Sequence, residues 1–248
     1  MRSIYSQAIQ VAVWLGSAAD NSDLAMERLD NDFSGLGRKT YDIHLWEKEE
    51  TKAILQLCQR QYWRRIWIVQ EVVLGKNVVF YCGERSLQAT KFAALFEVLG
   101  DSLQGIGVAA LFDGSTFLRK SIYQSDTAYI LQQRAYWHSN LEPIGLDVFD
   151  LFHAHRYKEC MDVRDRVYGL LSLAKQTQIK VLDITADYTK STSEIWKQIF
   201  EAYCRSYKPD KSGAEEHAKL LRNVFEISTT EDWITTFLRA LPMHIYET

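Results

Sequence analysis

The stretch Tyr62–Gly75, YWRRIWIVQEVVLG, constrains the fold more than any other part of the chain. It contains no proline, its only glycine comes last, and apolar residues fall on nearly every side. This pattern predicts a mostly buried helix closed by a glycine cap. At 3.6 residues per turn, Trp63, Trp67 and Glu71 share one stripe of such a helix, with a carboxylate at the end of an aromatic ledge. A carboxylate in that position is held and partly desolvated, as a group doing chemistry must be. The same spacing also fits a buried acid paired with Arg64 or Arg65, and on pattern alone this structural role is the commoner one.

Two short apolar runs flank the stretch. VAVWLG (11–16) and NVVFYCG (77–83) read as buried parallel strands. Residues 1–9 read as the last turns of a helix, Ser22–Leu29 as a helix, and 31–40 as a loop. Glu47–Gln61 reads as an amphipathic helix with Ile54, Leu55, Leu57 and Cys58 on its apolar face. Strand, helices, strand in that order predicts an α/β sheet with helical crossovers. Helices are further expected over Lys91–Gly100, Phe117–Tyr136 and Leu146–Tyr157. Asp162 is a natural N-cap for an apolar helix running to Ala174. Ile179–Ile184 reads as a strand, and Ser191-Thr192-Ser193-Glu194 is a capping box opening a helix with Ile195, Ile199 and Tyr203. Beyond Pro209 the composition turns polar, and Glu215–Phe225 and Asp232–Leu241 form two modest helices. The expected division is one domain over 1–204 and a helical extension over 205–248.

Composition narrows the function. A chain of 248 residues that is 47% hydrophobic supports one sizeable core with a helical appendage. A net charge of −3 gives no electrostatic reason to expect nucleic acid. No apolar run approaches the roughly 20 residues a membrane span needs, and no leader is visible, so a soluble, cytoplasmic protein is expected. Cys58, Cys82, Cys160 and Cys204 are widely spread, as free thiols in a reducing compartment would be. Gly105-Ile106-Gly107 mimics a dinucleotide turn but follows a helix and not a strand. His153 and His155, two apart on a helix, point away from each other and do not suit one metal, so no metal is expected.

Four blocks, in this order, resemble the heterokaryon-incompatibility (HET) domain of filamentous fungi. They are Met1–Tyr5 with Val13–Gly16, Tyr62–Glu71 with Cys82-Gly83, Val163–Leu171, and Asp187-Tyr188 with Lys190-Ser191. Family members carry two strands upstream of the position of Met1, of the types A-L-S-Y-x-W-G and W-I-D-A-x-C-I-N-Q, so the likeness is to a domain without them. After Gly83, Ser86-Leu87-Gln88 stands where I-x-W is usual. HET domains are similar in turn to TIR domains, which implies a TIR/flavodoxin-like parallel sheet lacking its first strands, heavily helical.

The resemblance further implies NAD as a substrate and not a cofactor, its nicotinamide glycosidic bond cleaved with Glu71 as the catalytic acid and Trp67 beside it. Arg65 or Arg164 would clamp the pyrophosphate, and Gln70, Asp165 and Tyr168 complete the implied substrate contacts. Arg164 and Asp165 equally fit a surface pair. The implied role is self/non-self recognition and programmed cell death, with a second copy or a signalling protein as partner, and neither nucleic acid nor membrane. An open α/β sheet builds its site at the carboxyl ends of its strands. With the leading strands absent, a non-catalytic interaction module or an inactive remnant fits the same resemblance.

Overall fold

The computed structural model describes residues 2–33, 46–103, 114–139 and 145–227. The chain forms two compact units, Met1–Pro143 and Ile144–Thr248. Residues 205–227 of the expected extension belong to the second. The expected 31–40 loop beyond Phe33, the Gly105-Ile106-Gly107 turn and the Asp232–Leu241 helix lie outside the described residues.

The first unit runs α1 (Arg2–Gln7), β1 (Val11–Trp14), α2 (Ser22–Asp32), α3 (Lys48–Cys58), α4 (Ile68–Leu74), β2 (Val78–Cys82), β3 (Arg85–Gln88), α5 (Ala89–Leu103), α6 (Gly114–Tyr123) and α7 (Asp126–Ser139). It is α/β, as expected, with a sheet of order β1-β2-β3 among the described residues. Strand β1 lies parallel to β2, with Val13 opposite Phe80. The sheet is nevertheless mixed and not purely parallel, because β3 pairs antiparallel with β2, Leu87 opposite Phe80. Its cause is the two-residue turn Gly83-Glu84, where Gly83 takes φ +55° and a Cβ would stand 2.8 Å from that of Ala18. Strand β1 is also less buried than its apolar run suggests: Val11 and Val13 face inward, while Ala12 and Trp14 face out.

The stretch Tyr62–Gly75 is not one helix. A 3-10 turn spans Gln61–Arg64, Arg65 is extended at ψ 141°, and only then does α4 begin. The break lets Arg64 and Arg65 reach solvent while their neighbours Trp63 and Ile66 are 1% and 0% exposed. A continuous helix at that depth would bury part of the paired charge. The break also dissolves the expected ledge, since Trp63 and Trp67 no longer share a helical stripe. Trp63 enters the core, its rings 5.3 Å from Phe80 and 6.2 Å from Phe92, with Nε1 donating to the Leu57 carbonyl at 3.1 Å. Trp67 is half-buried at the start of α4.

Gly75 does not close α4 in the left-handed conformation either. Its φ is −61°, and glycine is required because a Cβ would lie 2.8 Å from methyls of both Val11 and Val78. The expected helix over Phe117–Tyr136 divides at Gln124-Ser125, where the Ser125 hydroxyl accepts from the Ala128 N–H at 3.2 Å and caps α7.

The second unit contains α8 (Val148–His155), α9 (Asp165–Tyr168), α10 (Gln176–Val181), α11 (Thr192–Tyr207) and α12 (Lys211–Val224). The Ser191 capping box forms reciprocally with Glu194, as its spacing predicts. The 162–174 stretch is helical only over one turn. Asp162 is not its N-cap, which is Arg164; Asp162 accepts the Arg164 N–H at 3.0 Å in the turn ahead of it. Residues 179–184 are not a strand: α10 occupies the first half of them and a turn follows. Gln178 ties α10 to the start of α8, accepting from Val148 N at 3.0 Å and donating to Asp147 at 2.6 Å. Helix α12 packs on α11 and α8, with His217 stacked 4.1 Å from Tyr203 and edge-on to Phe149 at 4.8 Å.

Candidate functional site

Glu71 sits in the first turn of α4, half-buried, and each of its oxygens faces a tyrosine. The Tyr62 hydroxyl donates to Oε2 at 3.0 Å, and the Tyr5 hydroxyl lies 3.4 Å from Oε1. The two donors come from different elements, Tyr62 from the 3-10 turn and Tyr5 from α1. Burial, then the negative charge of Glu71 and the hydrogen bond to it, push both phenols above the ordinary tyrosine range, with the positive charge of Arg65 acting in the opposite sense. Both therefore remain protonated donors at neutral pH. The buried ion pair with Arg64 or Arg65 suggested by spacing gives way to this phenol clamp. Arg65 is exposed and close enough for its charge to be felt at both tyrosines. Gln70, by contrast, is 1% exposed, interior to the unit.

The other end of α4 is held by side chains of α7. Arg134, 6% exposed, donates through Nη1 to the carbonyls of Val72, at 2.8 Å, and Gly75, and through Nη2 to that of Lys76 at 2.9 Å. His138 Nε2 lies 3.0 Å from the Val73 carbonyl and 3.2 Å from Arg134 Nη1. Burial pulls the Arg134 guanidinium down to about 10 and, together with the Arg134 charge, lowers His138 as well. A cation among the last carbonyls of a helix is the favourable partner of its dipole and replaces a glycine cap.

Arg164, Asp165 and Tyr168 belong to the second unit and form a network of their own. Arg164 Nε donates to Asp162 at 2.8 Å, Nη2 to Asp162 at 2.5 Å, and Nη1 to the carbonyls of Tyr188 and Lys190, both at 2.8 Å. Its guanidinium lies 5.3 Å from the centre of the Tyr188 ring. The Tyr188 hydroxyl donates to Asp165 at 2.6 Å, that of Tyr168 to the Asp187 carbonyl at 3.0 Å, and the two rings meet edge to face at 5.1 Å. These bonds tie residues 187–190 to α9. Asp162 is the close partner of Arg164, not Asp165.

His153 is exposed and His155 is 1% exposed, on different sides of α8. Burial pushes the Cys58 and Cys204 thiols up to about 12 and about 11, which makes them poor nucleophiles. No helix among the described residues is long and apolar enough to cross a membrane.

Tyr5 and Tyr62 are the residues that spacing does not single out. Each stands next to apolar residues and reads as core, and their meeting at Glu71 depends on the break at Arg65 and on the docking of α1 against α4.

Residues 1–71 match the family model described as heterokaryon incompatibility protein (HET), a segment that contains Tyr5, Tyr62, Arg65, Trp67 and Glu71. The chain is similar to heterokaryon incompatibility protein 6, OR allele, of Neurospora crassa, at 27% identity over 78% of this chain and 33% of that protein. It thus spans about a third of the length of this curated relative. No solved structure matches the chain. The phenol-clamped carboxylate thus lies inside the segment that matches the heterokaryon-incompatibility (HET) model, and the similarity to the Neurospora protein continues along most of the chain.

Proposed function

We propose that the chain acts in self/non-self recognition of the heterokaryon-incompatibility type, signalling cell death by hydrolysing NAD, with Glu71 as its acting carboxylate. The observation that carries this reading is a half-buried carboxylate whose two oxygens are held by hydroxyls from two separate elements. In the reaction the C1′–N bond of NAD breaks and its electron pair leaves with nicotinamide, which departs neutral. A water oxygen bonds to C1′ and gives up its proton, so that ADP-ribose, nicotinamide and one proton result. Positive charge develops on the ribose in the transition state, and a fixed carboxylate stabilises it or holds the ribose hydroxyls. Arg65 supplies a cation for the pyrophosphate and Trp67 an apolar wall. The reading needs only residues of the first unit, since Arg164, Asp165 and Tyr168 are already engaged with their neighbours in the second.

A TIR/flavodoxin-like fold is part of the same proposal. Its support is the parallel β1–β2 pair, joined through α2, α3 and α4 as a helical crossover. A cytoplasmic setting is also part of it, consistent with four free thiols. The test is nicotinamide release from NAD by the purified chain and by Glu71→Gln. A loss of about a hundredfold or more in the variant supports the role, on the scale of removing one transition-state contact; equal rates refute it.

A second reading, a non-catalytic module that assembles with another copy of itself, draws on Trp14, 57% exposed and directly opposite the exposed Tyr81 on one sheet face. A Trp14→Ser variant that sediments as wild type does would remove that support.

A further inference from the structure

Spacing and family likeness single out Glu71 but not the groups that hold it. We propose that Tyr5 and Tyr62 are positioning residues that fix the orientation of the Glu71 carboxyl group, a role that rests on the NAD reading above. A phenol has one proton to give, and here Oε2 accepts from Tyr62 at 3.0 Å while Oε1 faces the Tyr5 hydroxyl at 3.4 Å. Both oxygens therefore accept, one from each of two separate elements, and each keeps a lone pair for a further donor.

The clamp also sets geometry. Two bonds from opposite partners fix the side chain's rotation about its terminal torsion, which is otherwise broad. The remaining lone pair on each oxygen is then aimed in a constant direction, where a ribose hydroxyl or a developing positive charge would meet it. Tyr62 is the stronger of the two by distance, and it is anchored by its edge-to-face contact with Trp63 at 5.3 Å, itself in the core. Tyr5 comes from α1, a six-residue helix that packs on α4, so the position of α1 is coupled to the carboxylate it touches.

Two measurements test the assignment. In the full chain, the hydroxyl proton of Tyr62 is followed by NMR with isotope-labelled tyrosine and assigned by its disappearance in Tyr62→Phe. Glu71→Gln converts a charge-assisted bond into a neutral one and moves this resonance upfield; a resonance that stays in place overturns the clamp. In NAD hydrolysis, Tyr62→Phe lowers kcat about tenfold with KM within about threefold, because the one proton of the hydroxyl is given to Glu71 and the substitution removes that bond. Tyr5→Phe has the smaller effect. Unchanged kcat, or a loss confined to KM, overturns the positioning role, and equal urea midpoints separate it from unfolding. If the wild-type chain releases no nicotinamide, the NAD reading falls with it, and the NMR arm alone decides the clamp.

Discussion

The place of α4 depends on Arg134, a buried cation held by backbone carbonyls. Replacing it with methionine keeps an unbranched stem and removes the fork. The carbonyls of Val72, Gly75 and Lys76 then lose their donor. Lys76 is exposed and water can replace the guanidinium there, but Val72 and Gly75 are buried. Two buried carbonyls left unsatisfied cost about 1–3 kcal/mol each, and relief of the desolvation of the guanidinium returns part of this. The net expectation is a loss of about 2–4 kcal/mol. With a urea m-value of about 2 kcal/mol/M, the midpoint of the first unit falls by about 1–2 M, read by tryptophan fluorescence. Arg134→Lys keeps the charge but offers a compact ammonium where a planar fork spans three carbonyls, so it recovers only part of the loss. A methionine variant within about 0.3 M of wild type would show that the helix end is satisfied without Arg134, and the account of how α4 is held would be wrong.

Further outcomes follow from the same geometry. Trp63→Ala empties core volume and costs about 3–5 kcal/mol, while Trp67→Ala, at a half-buried position, costs about 1–2; equal urea midpoints for the two would contradict the break at Arg65. Gly75→Ala brings a methyl to 2.8 Å from Val11 and Val78 and lowers stability by about 1–3 kcal/mol, measured in the same titration, whereas a simple C-cap without that close approach would tolerate it better. His155 is held by burial, and secondarily by the Lys158 charge, at about 3 against an ordinary 6.5. Below about pH 6.5 the unfolded chain binds a proton that the folded one refuses. The stability present above that value is therefore lost as pH falls towards 3, at up to about 1.4 kcal/mol per unit. His155→Phe should flatten that slope in hydrogen exchange of α8 between pH 7 and 5; an unchanged slope assigns the acid sensitivity elsewhere.

How much of this is legible in the sequence varies by element. The parallel pair β1–β2 is readable because VAVW and VVFYC are apolar runs separated by helical patterns, and the α11 cap because Ser191 and Glu194 stand at box spacing. Strand β3 is not, since RSLQ buries only Leu87 and its pairing arises from the Gly83 turn. Ile179–Ile184 misleads because β-branched residues at its ends resemble a strand, while the bonds of Gln178 to Val148 and Asp147 favour α10. At the site, Glu71 stands out by its apolar surroundings. Its partners do not, because Tyr62 reaches it only across the extended Arg65 and Tyr5 only through the packing of α1.

The carboxylate is thus located by features that never touch it. The rotation of α4 about its axis is set where Arg65 departs from helical geometry, which separates two buried neighbours from two solvated arginines. Its position along the axis is set at the far end, where Gly75 allows β1 and β2 to approach and Arg134 closes the carbonyls. A seven-residue helix is too short to hold itself in water. Its order comes from these two ends and from the burial of Ile68, Val69, Val72 and Val73 between them. A substitution at Gly75 or Arg134 that leaves the fold intact should therefore displace Glu71 relative to Tyr62 and reproduce, in kinetics, the signature of Tyr62→Phe.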